Sequence, residues 1–287
     1  MAGYEQRIIH TERGSFEVFI SGNGQPLCVT HLYQEFSNSG SSFADCLSPF
    51  YKVILVNLKE AGNSSKAHRS TELTMAETVK DLESIRTALG FSTWSFAGHS
   101  TGGFLGLTYA ASHPEVLDEL ILCGTSASKE FLEPDNCIYN FKTGTHRKEV
   151  TKIFLTLMLP FVSKTKKRSA SRKLIELSLH EPEKYDEYFR DRPSSKIIRK
   201  RMQAYNKELK TYDVRTELKH IKIPTLIPCG RYDVQCPLIF SKELHEVMPH
   251  SQLVIFEHSN HFPFIEEAND FTRAVQDFTN TIIRNDI

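Results

Sequence analysis

The sequence predicts an α/β fold: a mostly parallel, eight-stranded sheet flanked by helices, with a helical cap inserted into the core. Two observations carry this expectation. Short apolar runs of strand length alternate with longer helical patterns over most of the chain, and from about Ser128 to Thr216 that alternation gives way to helical patterns alone. At 287 residues, 40% hydrophobic and 24% charged, the chain has ample material for a buried core, and disorder is not expected.

Taken in order, SFEVFISG (15–22) alternates with period two and ends in the turn GNGQP, which reads as an early antiparallel strand. The runs at 26–31, 51–59, 92–98, 118–124, 223–230 and 251–257 are continuously apolar, as expected for strands covered on both faces. Between them a helix is predicted over 74–89, with Thr74 as its cap, Glu77 reaching back and Gly90 as its stop. Further helices are predicted at 102–112, 238–248 and 267–284. The strand-free stretch holds helical patterns at 146–161, 171–180, 183–191 and 195–209. The expected division is therefore a core of residues 1–127 and 220–287 and a cap of residues 128–219.

Formal net charge is zero, so the total gives no case for nucleic acid or membrane partners, but the charge is unevenly placed. Ser128–Lys222 holds 23 Lys and Arg against 13 Asp and Glu, leaving 12 against 22 elsewhere. The basic runs at 164–173 and 196–201 are read as solvated helix faces, with attraction of an anionic substrate, a membrane surface or nucleic acid as the other reading. No aromatic-interleaved nucleic-acid module accompanies them, and no apolar run is long enough to span a bilayer. The charged N-terminal stretch lacks a secretory pattern. Six cysteines without C-x-x-C spacing, three of them (Cys28, Cys123, Cys229) inside strand-like runs, read as buried thiols, and a cytoplasmic location is expected.

One segment carries chemistry. SFAGHSTGGFLG (95–106) sets Ser100 between glycines, after a strand and before a helix, matching G-x-S-x-G in Gly98–Gly102. Small residues belong there because a sharp turn brings the backbone close to its own strand and helix. The turn lifts the hydroxyl above the sheet edge and leaves the Thr101 N–H at a helix N-terminus, placed to stabilise an oxyanion. Serine needs a base oriented by a third group. Asp233 lies in the turn after one strand, and His258 and His261 follow the last.

These features resemble the α/β-hydrolase superfamily in its cap-bearing form, over nearly the whole chain. The resemblance implies Ser100 as nucleophile, Asp233 as acid and His261 as base, because His261, Pro263 and Glu266 match the family's H-x-P-x-x-E pattern; His258 is then a loop histidine. The family's other acid position, after the sixth strand, holds Gly124-Thr125-Ser126 and no carboxylate. By position Tyr33 is the second oxyanion donor beside Thr101, with Leu32 standing where relatives carry glycine. The family's D-x-R-G-x-G-x-S loop survives in Asn57–Ser64 only as Gly62 and Ser64, with packing beneath the site and a direct role as the two readings.

A serine at the elbow argues against dehalogenase and epoxide hydrolase chemistry, which uses aspartate there. No metal-ligand spacing and no phosphate-binding glycine loop appears, so neither metal nor organic cofactor is expected. The expected partner is a small ester, amide or short peptide substrate, with no nucleic acid and no integral membrane association; oligomeric state is not legible. General carboxylesterase activity is the leading reading. The alternative is a proline iminopeptidase-like aminopeptidase, which the cap placement resembles, although this chain lacks H-G-G-P-G and G-G-S-W-G. That activity needs a cap carboxylate for the substrate amine, with Glu130, Glu133, Glu149, Glu176, Glu181 and Glu183 as candidates. A non-catalytic receptor or scaffold on the same fold is the third reading.

Overall fold

Eight strands form one sheet: β1 (Glu5–Thr11), β2 (Gly14–Ser21), β3 (Pro26–Val29), β4 (Lys52–Val56), β5 (Trp94–His99), β6 (Leu117–Cys123), β7 (Thr225–Gly230) and β8 (Ser251–Phe256). The computed structural model describes residues 3–190 and 196–285. The spatial order is β1-β2-β4-β3-β5-β6-β7-β8. β2 pairs antiparallel with β1 and β4, and every other neighbouring pair is parallel. β1 is the strand the sequence pattern does not mark. It lies at the sheet edge with mostly exposed residues, so it has no core face to produce an apolar run.

The continuous apolar runs follow from covering the sheet on both sides. Successive side chains point to opposite faces, so Cys28, Ile54, Phe96 and Leu120 enter one apolar layer while Leu27, Val29, Val53, Leu55, Ala97 and Ile121 enter the other. Helices α1 (Met75–Ala88) and α2 (Thr101–Ser112) close the first layer. α1 does so with Met75, Val79, Leu82 and Ile85, one stripe at helical spacing. The second layer is closed by Phe271, Val275 and Phe278 of the last helix (Ala268–Asn285), at the same spacing. Each such side chain contributes about 1.5–3 kcal/mol on burial. Cys28, Cys123, Cys137, Cys229 and Cys236 are buried thiols. Thr74 caps α1 by accepting the Glu77 N–H at 3.3 Å, but the Glu77 side chain does not reach back, being drawn instead to Arg13 and Lys80.

Between β6 and β7 the chain is largely helical. It contains α3 (Arg147–Met158), α4 (Lys164–Glu176), a short helix at Tyr185–Phe189 and α5 (Arg199–Glu208). The basic run from Lys164 is thus the first part of α4. Asp191, the last residue of one predicted helical pattern, and Ser195, the first residue of the next, lie outside the described residues. Lys196–Ile197 pairs antiparallel with Gln34–Glu35 in the loop after β3, a strand inside a stretch expected to hold none. Two residues are too few to impose a period on the sequence. Phe131 and Tyr205 pack onto Phe104 of α2. Phe141, Met158 and Phe161 instead stand in water.

Candidate active site

β5 runs into α2 through Ser100, which holds φ 54° and ψ −120°. Among the described residues only Glu60 is another non-glycine residue with positive φ. This conformation costs about 1–3 kcal/mol and persists where the surroundings enforce it. Here the Ser100 N–H is fixed to the Cys123 carbonyl of β6 at 2.9 Å. The glycines around it have a steric cause: a Cβ on Gly98 would strike the backbone of Gly102 and Gly103, and one on Gly102 would strike the Thr30 carbonyl at the end of β3. Thr101 is the first residue of α2, where N–H groups have no helical acceptor.

Asp233 sits in the turn after β7. Its Oδ1 accepts the backbone N–H groups of Gln235 and Cys236, both at 2.8 Å, which fixes the carboxylate. The Nδ1 of His261 lies 3.0 and 2.9 Å from the two carboxylate oxygens, and both residues are 1% exposed. The segment bearing His261 is bracketed by Glu266, whose carboxylate accepts the N–H groups of Asn260 at 2.9 Å and Phe262 at 3.2 Å. Burial raises the pKa of Glu266, while the backbone donors work against that shift. Its other oxygen takes the N–H of His180, and the His261 N–H itself donates to the Ser178 carbonyl at 3.1 Å. Both partners belong to the helical segment. His99, next to Ser100, donates from Nε2 to the His261 carbonyl at 2.9 Å. Burial, then the neighbouring His261, holds its imidazole neutral, well below the ordinary histidine pKa.

The structure joins Asp233 to His261 and makes no hydrogen bond between Ser100 and the His261 ring. His261 Nε2 is buried without a hydrogen-bond partner among the described residues. The Ser100 N–H binds the Cys123 carbonyl, and a Cβ on the next residue, Gly124, would lie 3.2 Å from His261 Nδ1 and 3.1 Å from Asp233 Oδ2, so the serine and the pair meet at the same end of β6. Serine-to-base hydrogen bonds are commonly long before substrate binds. Gly124 has φ 56°, so this crowded position after β6 leaves no room for an acidic side chain. His258 is exposed and donates its backbone N–H to Glu267, away from Asp233.

The two residues expected to face the oxyanion meet on a histidine. His31 is buried, and its pKa is pushed down to about 3 by burial, then by the charges of His261 and Arg201, so it is neutral. Its Nδ1 accepts the Tyr33 N–H at 3.3 Å, and its Nε2–H reaches Thr101 Oγ1 at 3.0 Å, a pairing consistent with one tautomer. Beside it, Arg201 of α5 is wholly buried and donates to the carbonyls of Leu32 and Lys59 and to Thr78 Oγ1. Nothing in the sequence separates Arg201 from Arg199 and Lys200, its exposed neighbours in one basic run. In the loop after β4, Asn57 bonds Glu17 and the Phe36 backbone, and Lys59 pairs with Glu72 and Asp81. Among the described residues no group of three or more His, Cys, Asp or Glu is placed to hold a metal ion.

A strand–serine–helix elbow beside a buried Asp–His pair, on this sheet order, defines a class. The family model for the alpha/beta hydrolase fold matches residues 18–268, and the chain belongs to that family. The protein is a hydrolase resembling proline iminopeptidase-like enzymes. An alpha/beta fold family hydrolase from Bacillus anthracis str. Sterne superposes with a TM-score of 0.93 at 42% identity, covering 96% of this chain and 100% of that one. A proline iminopeptidase from Heyndrickxia coagulans is 26% identical over 94% of this chain and 96% of its own length. A pimeloyl-[acyl-carrier protein] methyl ester esterase from Vibrio cholerae is 24% identical over 90% and 96%.

Proposed function

We propose that the protein cleaves a carboxylic ester of a small substrate through an acyl-enzyme intermediate. The observation that carries this reading is the strained Ser100 backbone beside a His261 whose Nδ1 is tied to Asp233 and whose Nε2 is unpartnered. Ser100 attacks the carbonyl while His261 Nε2 takes its proton, and Asp233 balances the imidazolium. The N–H groups of Thr101 and Tyr33 hold the developing oxyanion, which is a stronger acceptor than the neutral His31 ring that now occupies Tyr33. His261 passes that proton to the departing alcohol as the ester C–O bond breaks, which leaves the acyl group on Ser100; water deprotonated by the now neutral His261 then attacks the acyl carbon, and the acid leaves as Ser100 regains its proton.

Residues 128–219 act as the lid on a core of 1–127 and 220–287. Support comes from the three links between this segment and the site: Ser178 to His261, His180 to Glu266, and Arg201 to Leu32. Phe131, Tyr205 and Tyr212 pack around Phe104 of the helix that follows Ser100, so the surroundings of the elbow helix are apolar and suit an apolar acyl group better than a charged one. The buried thiols suit a reducing compartment, and the cytoplasm is the proposed location. Among the described residues no helix is long and apolar enough to cross a membrane.

Aminopeptidase activity is the second reading, favoured by the likeness to proline iminopeptidases. The lid glutamates weigh against it. Glu130, Glu176 and Glu181 are paired with Arg215, Arg172 and Lys184, and Glu133, Glu149 and Glu183 are exposed, so none is a buried, uncompensated carboxylate for an amine. Parallel assays with p-nitrophenyl butyrate and proline β-naphthylamide decide between them. Turnover of the ester alone supports the esterase reading, and turnover of the amide alone overturns it.

A further inference from the structure

The turn between α3 and α4 exposes a cluster of large apolar side chains. Phe161 is 99% exposed and Met158 74%, with Leu155 and Leu159 beside them above one half. Leu155 and Met158 are three residues apart on α3, so they share one helix face. Immediately behind this tip, KTKKRSASRK (164–173) carries six cations and no anion, and α4 has no buried residue. Arg172 is engaged by Glu176 and Asp186, and Lys173 lies 3.8 Å from Glu149. Lys164, Lys166, Lys167 and Arg168 have no ion pair among the described residues.

The geometry points to this hairpin as a docking element for the surface of an anionic phospholipid bilayer. An apolar tip in water, backed within a few residues by uncompensated cations, matches a partner that offers negative charge at its surface and apolar depth just beneath it. Scattered single apolar residues on a surface need no explanation, but here four fall within seven consecutive residues. A second copy of the chain is a poor occupant, because two such tips meeting face to face would also bring two basic helices together. Insertion of the tip uses side chains outside the catalytic constellation, so docking and hydrolysis are separable properties.

Co-sedimentation of the full chain with vesicles tests this. One set is phosphatidylcholine alone and the other contains about one-third phosphatidylglycerol. The chain is expected to pellet with the anionic vesicles, to remain in solution with the neutral ones, and to be released by high salt. Phe161→Ser with Met158→Ser lowers the partition roughly tenfold or more without altering turnover of a soluble ester. Lys166→Glu with Lys167→Glu does the same through charge alone. Absence of vesicle binding at low salt, or binding that ignores either variant, overturns the proposal. Concentration-dependent dimerisation abolished by the Phe161 and Met158 changes, without vesicle binding, also overturns it and assigns the face to a second copy.

Discussion

Arg201 and Leu32 are 169 residues apart in the chain, yet the guanidinium Nε of the first donates to the carbonyl of the second. A trans peptide points its C=O and its N–H in opposite directions. By drawing the Leu32 oxygen towards α5, Arg201 aims the Tyr33 N–H at the side where His31 and Thr101 lie. The arginine remains protonated in the fold, although burial pushes its pKa down to about 10.

Arg201→Lys keeps the charge but loses the planar fork that serves Leu32, Lys59 and Thr78 together. A lost oxyanion donor costs about 10²–10³ in kcat, so a misdirected one should cost about 10- to 100-fold, with KM nearly unchanged. Steady-state kinetics well below the melting temperature of the variant provide the check. A kcat within about twofold of wild type would break the link between the arginine and the oxyanion loop.

The strain at Ser100 predicts opposite effects on activity and stability. Ser100→Ala and Ser100→Gly should both be inactive, but glycine adopts φ 54°, ψ −120° far more readily than alanine. Relief of about 1 kcal/mol or more should raise the melting temperature of the glycine variant above that of the alanine variant. Thermal melts of the two proteins side by side settle the order. A more stable alanine variant would mean that the elbow is not strained.

Two neutral histidines set an acid limit. His31 falls from 6.5 to about 3 on folding, and His99 falls well below the same starting value, both chiefly through burial. Below pH 6.5 the unfolded chain takes up protons that these rings refuse, so stability is complete above 6.5 and declines as pH falls towards 3. Each ring contributes a slope of up to about 1.4 kcal/mol per pH unit in that window. Glu208 and Glu266, raised by burial, act in the opposite sense at the lower end. The readout is therefore a difference: urea midpoints measured at roughly pH 7.5 and pH 5 should lie closer together in His31→Gln than in wild type. Equal separations would show that His31 titrates normally in the fold.

Much of this molecule was legible from local pattern. The elbow announced itself because tight strand–helix packing forbids side chains at Gly98 and Gly102, and such a constraint leaves its mark on adjacent residues. The covered strands were legible because both faces demand apolar residues. The edge strand β1 has no such demand and was silent. Arg201 and His31 were missed for a different reason. Their roles arise from partners across the fold, and a buried arginine in K-I-I-R-K-R reads the same as an exposed one. The same holds for Ser178 and His180, whose backbone groups grip the His261 segment independently of side-chain type.

The central claim is that residue 100 is an activated nucleophile served by His261. Incubation with a fluorophosphonate, followed by mass mapping of the labelled peptide, tests it most directly, because only an activated serine reacts at an appreciable rate. One phosphonyl adduct on Ser100, absent from Ser100→Ala and strongly slowed in His261→Ala, is the predicted result. A folded wild-type chain that takes no label, or takes it at another serine, would contradict the account.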